Sequence, residues 1–255
     1  MSSEPRIVCL VPSITELVCA LGLSEQLVGR TGFCIHPWET VRQVPKVGGT
    51  KDVKLEKVRE LAPTHVIVNV DENRREDAEA LAEFVPEVVV THPQGPLDNL
   101  ALYRQLGEAF GREAEAERLS AEFERAYERA TAAERPQRDV LYLIWKDPWM
   151  TVAPNTYIAQ TLALFNWRTP PFAFFRPEGE KRQTERYPEV DLAGFAGQVE
   201  RVLLSSEPYH FKRGHFGEVE AALPGAEVSL IDGEMTSWYG PRAIAGLDYL
   251  REYTA

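Results

Sequence analysis

The side chains able to do chemistry in this chain gather just after its short apolar runs. The densest group lies in residues 231–242, which hold the carboxylates of Asp232 and Glu234, the adjacent rings of Trp238 and Tyr239, and the guanidinium of Arg242. The run 226–231 before it reads as a strand. Residues 243–253 after it read as a helix, because Ile244, Leu247, Leu250 and Tyr253 fall on one face. Pro241 suits the first turn, where a missing N–H costs little. A loop between a strand end and a helix start is where α/β domains bind ligands. Two readings of Trp238 and Tyr239 stand here: they contact a ligand, or they plug the base of the last helix. Other strand exits carry Ser13; then Phe33, Cys34, His36 and Trp38; then Glu72 and Arg74; then Trp145 and Trp149; then Glu207 and Tyr209. Four of the five tryptophans belong to this set. Rings with a few polar groups among them suit a large planar or partly apolar ligand. The candidate ligand-binding residues are therefore Ser13, Phe33, His36, Trp38, Trp145, Trp149, Glu207, Tyr209, Asp232, Trp238, Tyr239 and Arg242.

Metal and covalent chemistry are the competing readings. The histidines are His36, His65, His92, His210 and His215, and none forms a pair at helical ligand spacing. Cys34 and His36 are one residue apart, which is poor spacing for zinc and for a nucleophile with its base. No residue is assigned as a metal ligand, and none as catalytic. The sequence has no nucleophile elbow, no P-loop and no glycine-rich dinucleotide turn. Asp232 and Glu234 read as hydrogen-bonding groups rather than an acid–base pair.

Composition narrows the partners. The chain has 255 residues and a formal net charge of −11, which disfavours nucleic acid and anionic membrane surfaces. No run approaches the length of a membrane span. The start leads straight into residues 7–11, too short for the apolar part of a secretory signal. Three cysteines, Cys9, Cys19 and Cys34, make no disulfide framework. The reading is a cytoplasmic protein with buried thiols, or a periplasmic one if a signal peptide had been removed.

The elements that must position these residues alternate. Strands are expected at 6–11, 27–29, 65–70 and 88–90. Helices are expected from the capping-box pair Ser13 and Glu16 to Gly22, over 55–61, and from residues 71–73 to Phe84. This pattern implies a mostly parallel sheet with helices on both faces. Residues 97–134 are nearly all helix formers, with Gly107 and Gly111 as weak points. A helix over 112–134 would be about 35 Å long. The alternation then resumes: strand 140–144, a helix from Tyr157 capped by Asn155, an irregular stretch 169–187, a short helix 191–196, strand 202–205, a helix near 218–223 and the final strand. The short-helix, strand, acid order of 55–72 is echoed in 192–207. The expected fold is α/β, with an N-terminal lobe 1–96, a connecting helical region 97–135, a C-terminal lobe 136–255, and a ligand cleft between the lobes.

Residues 6–16 closely resemble the opening of the cobalamin-binding, helical-backbone type of substrate-binding protein, of the class III periplasmic-binding-protein-like kind. Residues 44–49, 63–68 and 205–209 are similar to that family too. Residues 232–240 resemble its cytosolic branch, which lacks a signal peptide. The resemblance covers nearly the whole chain. It implies two Rossmann-like lobes joined by one long α-helix, with the ligand held between them. It implies capture of cobalamin, another corrinoid or a related tetrapyrrole, with no cofactor required. Two alternatives remain open: a siderophore or metal-ion binder of the same fold, and an enzyme acting on a cofactor-like small molecule. Family members deliver their ligand to an ABC permease, which applies here if the protein is exported. An acid on each lobe docks the permease in that family, and Glu72 and Glu207 occupy echoing positions. No nucleic acid partner and no membrane insertion are expected.

Overall fold

The mainly apolar runs 7–9, 66–69, 140–144 and 202–205 are buried on both faces, which suits pairing in parallel rather than as hairpins. The computed structural model describes residues 4–171 and 186–255. The chain forms two compact units, each with its own sheet. The first comprises residues up to 93, 97–123 and 239–242; the second comprises 94–96, 124–238 and 243–255.

In the first unit, β1 (Ile7–Cys9), β2 (Leu27–Arg30), β3 (His65–Asn69) and β4 (Glu87–Thr91) pair in the order β2-β1-β3-β4, all parallel. Val8, Leu10, Val58, Val66, Val68 and Leu81 form a core against this sheet. The helices are α1 (Pro12–Ala20), α2 (Trp38–Val41), α3 (Leu55–Glu60), α4 (Arg75–Ala82) and α5 (Asp98–Phe110). α1 corrects the expected capping box. Pro12, well suited to a first helical position, starts the helix earlier, and Val11 precedes it with no side-chain cap. Ser13 therefore sits inside the first turn with a buried hydroxyl that has no hydrogen-bond partner among the described residues. α4 likewise starts at Arg75, because residues 71–73 form a turn of their own.

The long helical region is two helices. α5 ends at Gly111, whose φ of +63° suits glycine, and α6 (Glu113–Thr131) follows. At 19 residues α6 is about 28 Å long, shorter than the expected span. It belongs to the first unit up to Phe123 and to the second from Glu124. Its buried stripe is Ala116, Leu119, Phe123, Ala126 and Ala130. Gly107 proves to be a packing requirement: a Cβ there would lie 2.6 Å from the Ala116 Cβ.

In the second unit, β5 (Arg138–Trp145), β8 (Arg201–Ser205) and β9 (Glu227–Ile231) are parallel, and the short β6 (Met150–Thr151) pairs antiparallel with β5. The order is β6-β5-β8-β9, with β7 (Trp167–Arg168) also beside β5. Leu141, Leu143, Val202, Leu204, Phe211 and Val219 fill the core. The helices are α7 (Tyr157–Ala163), α8 (Phe216–Ala222), α9 (Gly233–Ser237) and α10 (Pro241–Tyr253), with a 3₁₀ turn at Leu192–Phe195. Thr156, not Asn155, caps α7: its hydroxyl accepts from the Ala159 N–H at 3.2 Å. α9 was not expected; it fills part of what the sequence presents as a loop. Most of the expected irregular stretch 169–187 lies outside the described residues. Among the described residues, no helix is long and apolar enough to cross a membrane.

Gly107 separates propensity from packing. Alanine gains about 1 kcal/mol of helix propensity over glycine. Overpacking costs about 1–3 kcal/mol. With the Ala116 methyl 2.6 Å away, packing dominates. Gly107→Ala is expected to lower unfolding free energy by about 1 kcal/mol in urea titration; a more stable variant would show that α5 and α6 separate freely.

Candidate functional site

In the first unit, the exit of β3 is built by asparagines. The Asn69 N–H donates to Asn73 Oδ1 at 2.8 Å, and the Asp71 N–H donates to Asn69 Oδ1 at 2.8 Å. Asn73 Nδ2 donates to the Leu10 and Thr50 carbonyls, tying the turn to β1. This framework sets Glu72, which accepts a short hydrogen bond from the Tyr239 hydroxyl. Lys51 donates to the Asp71 carbonyl at 2.8 Å. Burial pushes the Lys51 ammonium below its ordinary pKa, while Glu72 and Asp71 pull it back up.

Residues 239–242 are clasped in this unit. The Gly240 N–H donates to Asn99 Oδ1 at 2.7 Å, and the Tyr103 hydroxyl donates to the Gly240 carbonyl at 2.8 Å. Arg242 donates from Nε and Nη2 to the two Glu16 carboxylate oxygens, both at 2.9 Å. The charge of Arg242 is thus engaged by Glu16.

The loop after β2 wraps around Arg30, which is 1% exposed. Its guanidinium donates to the Val41, Thr31 and Cys34 carbonyls at 2.6, 3.0 and 3.1 Å. Three carbonyls on one fork fix the loop's path. Cys34 turns inward beside the Thr31 hydroxyl, and burial pushes its thiol up, away from the nucleophilic thiolate. Phe33 and Trp38 turn outward at 63% and 55% exposure, with His36 partly exposed between them.

In the second unit, Trp145 leaves β5 at 41% exposure and meets Tyr209 edge-on, with ring centroids 5.6 Å apart. Trp149 instead stacks on the buried Phe211 at 5.9 Å and packs against the core. Glu207, at the exit of β8, accepts from the Ser237 hydroxyl at 2.8 Å and the Trp238 indole N–H at 2.7 Å. Asp232 caps α9, accepting from the Met235 N–H at 3.2 Å.

The structure therefore sorts the twelve candidates. Phe33, Trp38 and Trp145 are exposed; His36, Trp149, Glu207, Tyr209, Asp232 and Arg242 are partly buried; Ser13, Trp238 and Tyr239 are buried. Both aromatic residues of 238–239 bond a carboxylate through their polar ends, so burial and polar contact coexist. Sequence reasoning missed Lys51, Asn69, Asn73, Asn99 and Arg30. Of these, only Arg30, a charge closing an apolar strand, left a signal in the pattern. Among the described residues, no group of three His, Cys, Asp or Glu could hold a metal ion.

Burial raises the Glu207 pKa above its ordinary 4.5, and Glu234 and Asp232 raise it further, while the bonds from Ser237 and Trp238 oppose this. A carboxyl whose folded pKa is raised supports the fold fully below its unfolded pKa. That support is lost as pH rises through the folded value. Glutamine keeps the acceptor oxygen and never ionises. Glu207→Gln is expected to flatten the fall in melting temperature as pH rises from 4.5 towards neutral. An unchanged pH profile would mean that the carboxylate is ionised without cost.

Residues 7–166 match the periplasmic binding protein family. An uncharacterized ABC transporter substrate-binding lipoprotein, YvrC of Bacillus subtilis, is 24% identical over 99% of this chain and 81% of its own length. A vitamin B12-binding protein of Vibrio campbellii is 25% identical over 86% of this chain and 77% of its own. The apo periplasmic heme-binding protein RhuT from Roseiflexus sp. RS-1 superposes with a TM-score of 0.79 and 22% identity, covering 99% of this chain and 98% of that one. The chain belongs to the periplasmic binding protein family.

Proposed function

We propose that this protein is a ligand-binding protein of the ABC-transporter substrate-binding type and that its ligand is a corrinoid such as cobalamin. The observation carrying this reading is that each unit leaves large rings exposed at its strand exits: Phe33 and Trp38 in the first, Trp145 in the second. Exposed aromatics are the surface that a flat, largely apolar macrocycle covers with the greatest gain. The vitamin B12-binding relative supports the corrinoid, and the heme-binding neighbour supports a tetrapyrrole-like ligand more broadly.

Trp145 tests the ligand, because an exposed ring supports the core less than a buried one. Stacking contributes about 0.5–1.5 kcal/mol per pair, with burial in addition. Trp145→Ala is expected to weaken cyanocobalamin binding by about tenfold, or 1.4 kcal/mol, with a melting temperature close to wild type. Calorimetric titration of cyanocobalamin and of hemin decides the class. Hemin bound without cyanocobalamin overturns the corrinoid, and neither bound overturns the macrocycle.

The compartment is proposed to be the cytoplasm. Cys9, Cys19 and Cys34 are all free thiols, which suits a reducing compartment. Cell fractionation is expected to place the protein in the cytosolic extract. Recovery from a periplasmic extract would overturn this placement and bring an ABC permease within reach as a delivery partner.

A further inference from the structure

At the carboxyl ends of β8 and β9 the second unit opens a pocket of about 300 Å³. Its floor is apolar, from Leu204, Leu230 and Ile231, and its rim carries Ser206, His210, Lys212 and Arg213. None of its lining residues is acidic. That is a departure in a chain with 39 acidic and 28 basic residues. Several other cations of this unit are paired: Arg138 with Glu200, Arg201 with Glu227, Lys146 with Glu218. His210, Lys212 and Arg213 are exposed and form no ion pair among the described residues. Their backbone is held in place. Phe211, 2% exposed, donates its N–H to the Ser205 carbonyl, and its ring stacks on Trp149. The Lys212 N–H donates to His215 Nδ1 at 2.9 Å. Ser206 Oγ accepts from the Gly233 N–H at 2.8 Å, so its own proton is free to donate.

We propose that this pocket binds the phosphate group of a small organic phosphate, with the organic part on the apolar floor. Two cations and a hydroxyl donor on an anchored backbone, with no acid in the lining, match an oxyanion that offers several lone pairs. The volume is at the lower end for small-molecule sites, which limits the ligand to a compact monoester. The inference is independent of the corrinoid reading and would survive its failure.

Amide NMR titration of the intact protein with phenyl phosphate and with inorganic phosphate tests it, with sodium chloride at matched ionic strength as the control. Saturable shifts are expected at Ser206, Phe211, Lys212 and Arg213, with phenyl phosphate the tighter ligand. Lys212→Gln and Arg213→Gln each replace an exposed side chain and should leave melting unchanged. Each is expected to weaken phosphate binding by about tenfold. The proposal is overturned if chloride reproduces the shifts, if neither phosphate saturates them in the millimolar range, or if both variants bind like wild type.

Discussion

The backbone of Gly240 is the constraint on which the candidate site depends. Gly240 is bonded on both sides by buried side chains, its N–H by Asn99 and its carbonyl by Tyr103. Leaving either group unpaired would cost about 1–3 kcal/mol, so the segment has little freedom to leave. Its φ of +82° and the Ser13 carbonyl, 3.3 Å from where a Cβ would sit, both call for glycine. With that backbone fixed, Tyr239 reaches Glu72 and Arg242 reaches Glu16. The segment 239–242 is thus held by side chains of its own unit.

The same economy of donors governs the loop after β2. Among the described residues Arg30 has no carboxylate among its hydrogen-bond acceptors; three carbonyls from residues 31–41 accept from it. A buried guanidinium bonded this way orders the loop more firmly than a surface ion pair, because each acceptor lies at a different point along the chain. The consequence is a division of labour within residues 31–38. Thr31 and Cys34 are drawn inward, while Phe33, Ile35 and Trp38 are left with nowhere to go but outward.

Much of the fold was legible because strand and helix periods are local. The two sets of alternating elements, the parallel strands and the buried stripe of α6 all follow from patterns within a dozen residues. What failed was capping and pairing. Ser13 and Glu16 have capping-box spacing, yet Pro12 begins the helix and Glu16 bonds Arg242, 226 positions away. No local window contains that partner. Asn155 lost its expected role to the neighbouring Thr156 for a similar reason, since two good caps side by side are decided by packing. Residues 233–237 form a helix too short for its period to show.

The candidate site was legible as a set of residue types and not as a set of roles. Tryptophan counts the same in a sequence whether it faces solvent or a core. Trp149 stacks on Phe211 and Trp238 spends its indole N–H on Glu207, whereas Trp145 keeps 41% of its surface exposed. The distinction rests on whether a ring has a partner close by in space. Rings already matched to a core ring or a carboxylate gain little from a ligand, because both burial and hydrogen bond are already made. Rings that the fold leaves unmatched are where a ligand's apolar surface adds the most. Exposure within an aromatic-rich set, rather than membership of it, is therefore the property that separates rings left open to a ligand from rings spent on the fold. By that measure Phe33, Trp38 and Trp145 outrank the tryptophan–tyrosine pair that dominates the sequence.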